Sequence, residues 1–321
     1  MRTDKTVIII ARPTDVHAVA VAAEVGATFK SRALILNSAQ YPNAWRITMD
    51  VSQNSEPTWT VRGDGWEVTS DQLTGVWWRR PYRHRIASEV KGRKVRRFCE
   101  DEAKAAFLGW IHGLGQKVMN PFSADFAANQ KPLQLLRARE VGLKIPHTVV
   151  TNDAEEARTF LKRRDGSTIF KVLTGTSWQF TETRRFRSAH LRHLKNLRYA
   201  PVIFQELVEA QSDIRVTIVD QTAFAVSIKP ILKGAKFDWR MDLASEIRPH
   251  VLPGEIRRGL IKLMRVLGLR FGAIDLRLTP ANEYVFLEVN PGGQFLFCEI
   301  HGGHPISRAI AAALLKDRKP S

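Results

Sequence analysis

The sequence predicts an α/β protein of more than one domain, on three observations. Strand-like and helix-like runs alternate from residue 6 onward. Two late segments, FGAIDLRL and YVFLEVN, are apolar strands interrupted by acidic residues. The chain has 321 residues, 44% of them apolar and 25% charged, which at roughly 150 residues per domain gives about two folded domains with a sizeable core.

The elements follow in order. TVIIIA at 6–11 is a first strand, His17 to Val25 the helix after it, and ALILN at 33–37 a second strand. The runs WRITMDV, TWTVR and WEVTS alternate between residues 45 and 70, with Gly63-Asp64-Gly65 as a hairpin turn. GVWW at 75–78 is another strand, running into the basic RRPYRHR, and Lys94 to Leu114 is helical. AANQKPLQLLRAREVGL reads as one helix ended by Gly142. HTVVT is a strand, Asp153 caps the helix AEEARTFLKRR, and TIFKV at 168–172 is a strand followed by the loop LTGTSW and extended QFTETRRF. In SAHLRHLKNLR, Leu191, Leu194 and Leu197 share one helical face. Strands VIFQELV, IRVTIVD and AFAVSIK follow, then a helix from Glu255 to Leu267, the two acidic strands and a last helix, PISRAIAAALLK.

The acids in the late strands carry the first chemical signal. Side chains alternate along a strand, so Glu288 and Asn290 share a face, with Phe286 beside them. Asp275 sits likewise inside the preceding strand. Two carboxylates and an amide oxygen are hard ligands of the kind Mg²⁺ prefers. A solvated edge strand is the plainer alternative, and the repeat of the anomaly at Asp275 weighs against it. Lys171, flanked by Ile169, Phe170 and Val172, needs an anion nearby. Gly175 beyond it allows close backbone approach to a phosphate. Lys131 stands at a helix start. Either lysine alone reads as a surface residue; with the downstream Asp, Glu and Asn they describe a nucleotide–magnesium site.

These motifs, in this order, resemble the ATP-grasp superfamily: NQK ending at Lys131, GLKIPHT at 142–148, IFK at Lys171, FQELVEAQSDIR at 204–215, AIDLRL at 273–278 and FLEVNPGG at 286–293. Within it the chain is similar to the ATP-grasp ribosomal-peptide maturases, the microviridin-type graspetide synthetases, through VWWRRP at 76–81, DIR at 213–215, DWR at 238–240 and NPGGQFLF at 290–297. The resemblance implies two α+β lobes clasping ATP, preceded by a small α/β domain that is similar to the family's pre-ATP-grasp domain through PTD at 13–15 and VWWRRP. The implied units are a pre-ATP-grasp domain at 1–118, a central lobe at 119–200 and a C-terminal lobe with the Mg site at 201–321.

The resemblance also implies roles. Lys131 and Lys171 match phosphate-binding lysines, and Gln205, Glu206 and Val208 the hinge that meets adenine. Asp275, Glu288 and Asn290 match Mg²⁺ ligands. Arg215 and Arg240 match arginines beside the reacting groups, and Asp213 matches either a ribose ligand or a base on the attacking hydroxyl. The implied activity is an ATP-dependent ligase. It would activate Asp or Glu side chains of a precursor peptide as acyl phosphates and close ester or amide cross-links. Alternatives are a carboxylate–amine ligase adding amino acids to a protein or small molecule, and a non-catalytic nucleotide- or RNA-binding protein. His301 and His304 lack further zinc ligands and read as part of a Gly-rich turn capping the last helix.

Charge and compartment complete the reading. Lys plus Arg number 49 against 32 Asp plus Glu, a net charge of +17, so an anionic partner is expected. Residues 79–97 and 184–198 are the basic segments. An acidic precursor peptide, leader and core, accounts for them; no RNA-binding signature is present, and a solvated face is the plain alternative. Cys99 and Cys298 cannot build a disulfide framework, no apolar run spans a bilayer, and a cytoplasmic protein is expected. The oligomeric state is left open, a homodimer included.

Overall fold

Buried apolar runs organise the N-terminal third. The computed structural model describes residues 5–163, 167–174, 183–229 and 245–316; Gly175 and Arg240 lie outside the described residues. Strand β1 (Thr6–Ile10) is buried throughout, as a central parallel strand covered on both faces should be. Helix α1 (Val16–Ala27) follows, capped by Asp15, whose carboxylate accepts from the His17 and Ala18 amides. After β2 (Arg32–Leu36), strands β3 (Trp45–Ser52), β4 (Ser55–Gly63) and β5 (Trp66–Thr69) form an antiparallel meander. Gly65, at φ +68°, supplies the left-handed turn between the last two. Strand β6 (Leu73–Trp77) returns to the first sheet. Helix α2 (Arg93–Gly113) buries Ala103, Phe107, Trp110 and Ile111, one face at helical spacing. Strand β7 (Val118–Met119) completes a four-stranded sheet of order β2-β1-β6-β7, parallel throughout.

The segment expected as one helix, 127–143, holds the end of α3 (Phe122–Ala128), a break at Asn129 and Gln130, and α4 (Lys131–Glu140). Pro132 in the first turn of α4 lacks only an N–H the helix would not use, so it starts a helix where it would break one midway. Next come β8 (Thr148–Thr151), α5 (Ala154–Lys162) capped by Asp153 as expected, β9 (Thr168–Lys171) and β10 (Arg184–Arg185). Ser188–Tyr199 coils as 3₁₀ turns, burying Leu194 and Leu197 and leaving Leu191 exposed. Strand β11 (Val202–Glu206) completes an antiparallel sheet of order β10-β9-β11-β8.

The last sheet holds β12 (Ser212–Val219), β13 (Thr222–Lys229), β14 (Glu246–Pro249), β15 (Phe271–Leu278) and β16 (Tyr284–Asn290), in the order β14-β13-β12-β15-β16. Helices α6 (Gly254–Val266) and α4 cover one face. Helix α7 (Leu296–Gly302) ends at Gly303, φ +65°, so the Gly-rich turn caps this helix and not the last one. Helix α8 (Ile306–Leu315) packs on the first sheet: Ile310 and Leu314 share a core with Val7, Ile9 and Trp77. The approach is so close that a Cβ at Gly75 would stand 2.3 Å from the Leu314 carbonyl oxygen. Among the described residues, no helix is long and apolar enough to cross a membrane.

Candidate active site

Strand register builds the centre of the site. Arg215 on β12 lies opposite Asp275 on β15, and Asp275 opposite Glu288 on β16, so three charged residues form one row across the sheet. Arg215 NH1 donates to both Asp275 oxygens, at 2.7 and 2.8 Å, and NH2 to the Gln294 carbonyl at 3.0 Å. Asn290 Nδ2 lies 3.4 Å from Asp275 Oδ2 and 3.2 Å from Glu288 Oε1, which brings the three proposed metal ligands to one point. Phe286 departs from the expected pattern. The register shifts between Asp275 and Leu276, an extra residue at Leu287 bulges out, and Phe286 turns to the buried face opposite Leu276. Without that bulge a phenyl ring would share the face of the carboxylates.

The two lysines converge on Glu288. Lys131 Nζ stands 3.0 Å from Glu288 Oε2. Burial alone would raise the Glu288 pKa; the ammonium groups of Lys131 and Lys171, with the Asn290 and Lys131 hydrogen bonds, outweigh it and hold the carboxyl well below the usual range. Lys131 comes from the first turn of α4, which Gln134 pins to β16. The Gln134 amide donates to the Val289 carbonyl at 2.8 Å and accepts from the Val289 amide at 2.9 Å, a two-point clamp buried from water. Asn120 makes a similar clamp between β7 and β15, accepting from the Phe271 amide and donating to its carbonyl, both at 2.8 Å.

The residues expected as the hinge sit where β11 ends. The Gln205 side chain is buried and donates to Thr148 Oγ1 at 2.8 Å. The Glu206 amide bonds the His147 carbonyl and the Leu207 amide the Ser167 carbonyl, both at 2.9 Å, so those amides serve the lobe itself. The Val208 carbonyl accepts from Arg277 NH1 at 3.1 Å. Asp213 belongs to that arrangement: Arg277 Nε stands 3.1 Å from Asp213 Oδ1, both side chains nearly buried, directly across the β12–β15 ladder. The ion pair ties the segment after β11 to the sheet and engages one oxygen of the carboxylate expected as base or ribose ligand.

Several partners escaped the sequence reading: Arg277, Asn120, Gln134 and, from the N-terminal domain, Asp15, His17 and Arg79. Arg79 reaches the Gly292 and Gly293 carbonyls, and the Phe295 amide donates to His17 Nδ1 at 3.4 Å. Burial and the charge of Arg79, followed by Arg80 and Arg215 and opposed by Asp15, lower the His17 pKa to about 4. The signal for Asp15 and Arg79 was present as the motifs PTD and VWWRRP. Nothing local marks Arg277 or Gln134, whose partners are remote in sequence.

Among the described residues no group of three or more His, Cys, Asp or Glu is placed to hold a metal ion, and His304 Nε2 bonds the Ala225 carbonyl.

Residues 6–125 match the family model described as the MvdD pre-ATP grasp domain. No curated protein matches the sequence. Solved structures match over nearly the whole chain. A RiPP-associated ATP-grasp ligase of Chryseobacterium gregarium, in complex with ADP and a leader and core peptide, is 25% identical, with 99% of this chain and 98% of that one covered and a TM-score of 0.88. Macrocyclase MdnC of Microcystis aeruginosa MRC, bound with precursor peptide MdnA, is 26% identical over 98% of this chain and 100% of that one, at 0.84. Macrocyclase MdnB of the same organism is 28% identical over 97% and 99%, at 0.79. Residues 6–125 are thus a pre-ATP-grasp domain of the MvdD kind, and the whole chain has the ATP-grasp fold and resembles the ATP-grasp ligases and macrocyclases of ribosomal peptides.

Proposed function

We propose that the chain is an ATP-dependent ligase that activates Asp or Glu side chains of a ribosomal precursor peptide and joins them to side-chain hydroxyls or amines, closing macrocycles. One observation carries this reading: the Arg215–Asp275–Glu288 row, faced by Lys131 and Lys171, in a chain alike over its full length to ligases solved with ADP and with precursor peptides.

The residues suit the chemistry. Lys131 and Lys171 are placed to receive the phosphates of ATP. Their present partner, Glu288, would exchange them for a divalent cation. Asp275, Glu288 and Asn290 would hold Mg²⁺: their polar atoms already converge, and turning the Asn290 amide end for end offers a third hard oxygen. Bound there, Mg²⁺ would neutralise charge on the phosphate oxygens during transfer. Arg215 is fixed by Asp275 and Gln294, so its guanidinium is presented at a set angle to the substrate carboxylate or its acyl phosphate. Arg240 is assigned the same task and lies outside the described residues. The segment from Glu206 to Val208, with its Glu206 and Leu207 amides bonded within the lobe and its Val208 carbonyl held by Arg277, would meet adenine through its remaining backbone groups. Transfer of the γ-phosphoryl group to a carboxylate oxygen yields ADP and an acyl phosphate; attack by the hydroxyl or amine then expels phosphate and forms the bond.

The net charge of +17 supports an acidic peptide as substrate, and two cysteines without a disulfide framework suit a cytoplasmic setting. The test is incubation with ATP, Mg²⁺ and an acidic precursor peptide, read by ADP release and mass spectrometry. One water lost from the peptide per ADP formed is the expected result. ADP formation that tracks addition of a free amino acid would favour the carboxylate–amine ligase instead.

A further inference from the structure

Two N-terminal motifs, Pro13-Thr14-Asp15 and Val76-Trp77-Trp78-Arg79-Arg80-Pro81, take no part in the chemistry above. The fold brings them to the loop that leaves β16. Arg79, just past the end of β6, is 2% exposed. Its NH1 donates to the Gly292 carbonyl and, at 3.2 Å, to the Gly293 carbonyl. Its Nε lies 3.7 Å from Asp15 Oδ2, while Asp15 Oδ1 caps α1. Arg215 takes the next carbonyl, Gln294, with NH2 and holds Asp275 with NH1. Three successive carbonyls are therefore gripped by two guanidiniums, one from each end of the chain's domain order. The second of these is bonded to a proposed metal ligand.

The loop has little room to sit elsewhere. A Cβ at Gly292 would stand 3.1 Å from the Arg79 carbonyl oxygen, and one at Gly293 would stand 2.3 Å from Ala273 Cβ. Stability alone does not account for Arg79. Its NH2 has no hydrogen-bond partner among the described residues and its Nε reaches Asp15 only at 3.7 Å, and such a buried, partly satisfied cation costs more than an apolar side chain of similar length would. What methionine there could not do is donate to two carbonyls of an irregular loop.

We propose that Arg79, steadied by Asp15, is a positioning residue: it seats loop 291–295 so that Asn290 and Arg215 keep the placement the Mg²⁺–nucleotide site needs. It touches no substrate and acts through those two residues. The inference rests on reading the Asp275–Glu288–Asn290 cluster as that site.

The experiment compares the full chain with Arg79→Met, Arg79→Lys and Asp15→Asn; the last keeps an oxygen to cap α1. Thermal midpoint, amide hydrogen exchange over 291–297 in the free protein, and calorimetric ADP affinity with and without Mg²⁺ are read on each. In Arg79→Met, exchange over 291–297 should quicken and Mg²⁺–ADP affinity fall, each roughly tenfold, as for loss of a charge-assisted hydrogen bond. Metal-free ADP affinity should stay within about twofold, below the size of one such bond. Arg79→Lys should recover most of both, because its ammonium still donates to Gly292, and Asp15→Asn should fall between. Met and Lys variants that behave alike would reduce Arg79 to a space-filler and overturn the proposal, as would unchanged exchange and Mg²⁺–ADP affinity in folded variants. If Arg79→Met fails to fold, unchanged loop exchange in Asp15→Asn overturns it. A wild-type chain that binds no ADP removes the nucleotide site and this role together; a wild-type chain that binds ADP no better than the variants removes this role alone.

Discussion

Glu288 concentrates the electrostatics of the site in one side chain. Two ammonium groups converge on it, so Glu288→Gln keeps the shape and removes the charge that holds them. ATP-dependent ADP formation should fall about a hundredfold or more, the scale of losing one charged stabiliser in a preorganised site. Far-UV circular dichroism should show an unchanged fold. Because the folded pKa is depressed below its ordinary 4.5, the carboxylate's stabilising contribution is present above that value and is lost as pH falls below it. Lys171→Ala removes the charge that β9 brings from the other sheet, and ADP affinity measured by calorimetry should drop by ~1.5–3 kcal/mol, roughly tenfold to a hundredfold. His17 gives the clearest titration outside the cluster. Its pKa falls from 6.5 to about 4, so between those values the unfolded chain binds a proton the folded one refuses. Stability must therefore decline as pH drops through that window. Urea unfolding at neutral pH and at about pH 5 should show the decline, and His17→Gln should flatten it.

The β-bulge and the two-point clamps show what elements contribute and where a sequence is mute. Asp275, Glu288, Asn290 and Lys171 stand out because polar groups inside apolar strands are costly, and that cost is visible locally; Lys131, at a helix start, stands out only in company with them. The face of Phe286 is not legible, since one extra residue at Leu287 inverts the alternation and no composition rule announces a bulge. The break between α3 and α4 was hidden by a continuous helical pattern, although Pro132 stood at the right place to start a new helix. The ion pair of Asp213 is not visible in the sequence, because its partner, Arg277, comes from a strand that approaches only on folding. The packing of α8 on the first sheet likewise joins residues from opposite ends of the sequence. Gln134 offers the test at this scale. Gln134→Met would leave the Val289 amide and carbonyl buried without partners, at about 1–3 kcal/mol for each. Urea melts should report that loss. ADP affinity should fall with it, because Lys131 shares the clamped first turn of α4.

Across the whole molecule, the charge divides into parts with different work. Within the basic run at 79–97, Arg79 is buried and Arg96 donates to the Ile86, Ala87 and Val90 carbonyls, so both serve the fold. Arg83 and Arg97 pair with Glu100 and Asp101. The segment 184–198 holds cations without an acid in its sequence, and it follows directly from the sheet that carries Lys171. An acidic peptide should therefore be drawn to the central lobe by exposed charge. Its affinity should fall as salt rises, since screening shortens from ~8 Å at physiological ionic strength to ~3 Å at 1 M. Arg192→Ala combined with Lys195→Ala should weaken binding about two- to tenfold at low salt, the sum of two exposed pairs, and leave the chemical step unchanged. Arg215→Ala should do the reverse: peptide affinity nearly kept, and single-turnover product formation lowered about a hundredfold. The measurements are fluorescence anisotropy of an acidic peptide bearing Thr, Ser, Glu and Asp at two salt concentrations, beside mass spectrometry of the same peptide after one turnover. Salt-independent peptide binding would detach the charge from substrate capture. Tight RNA binding with no dehydrated peptide would assign the basic segment, and the fold with it, to a nucleic acid instead.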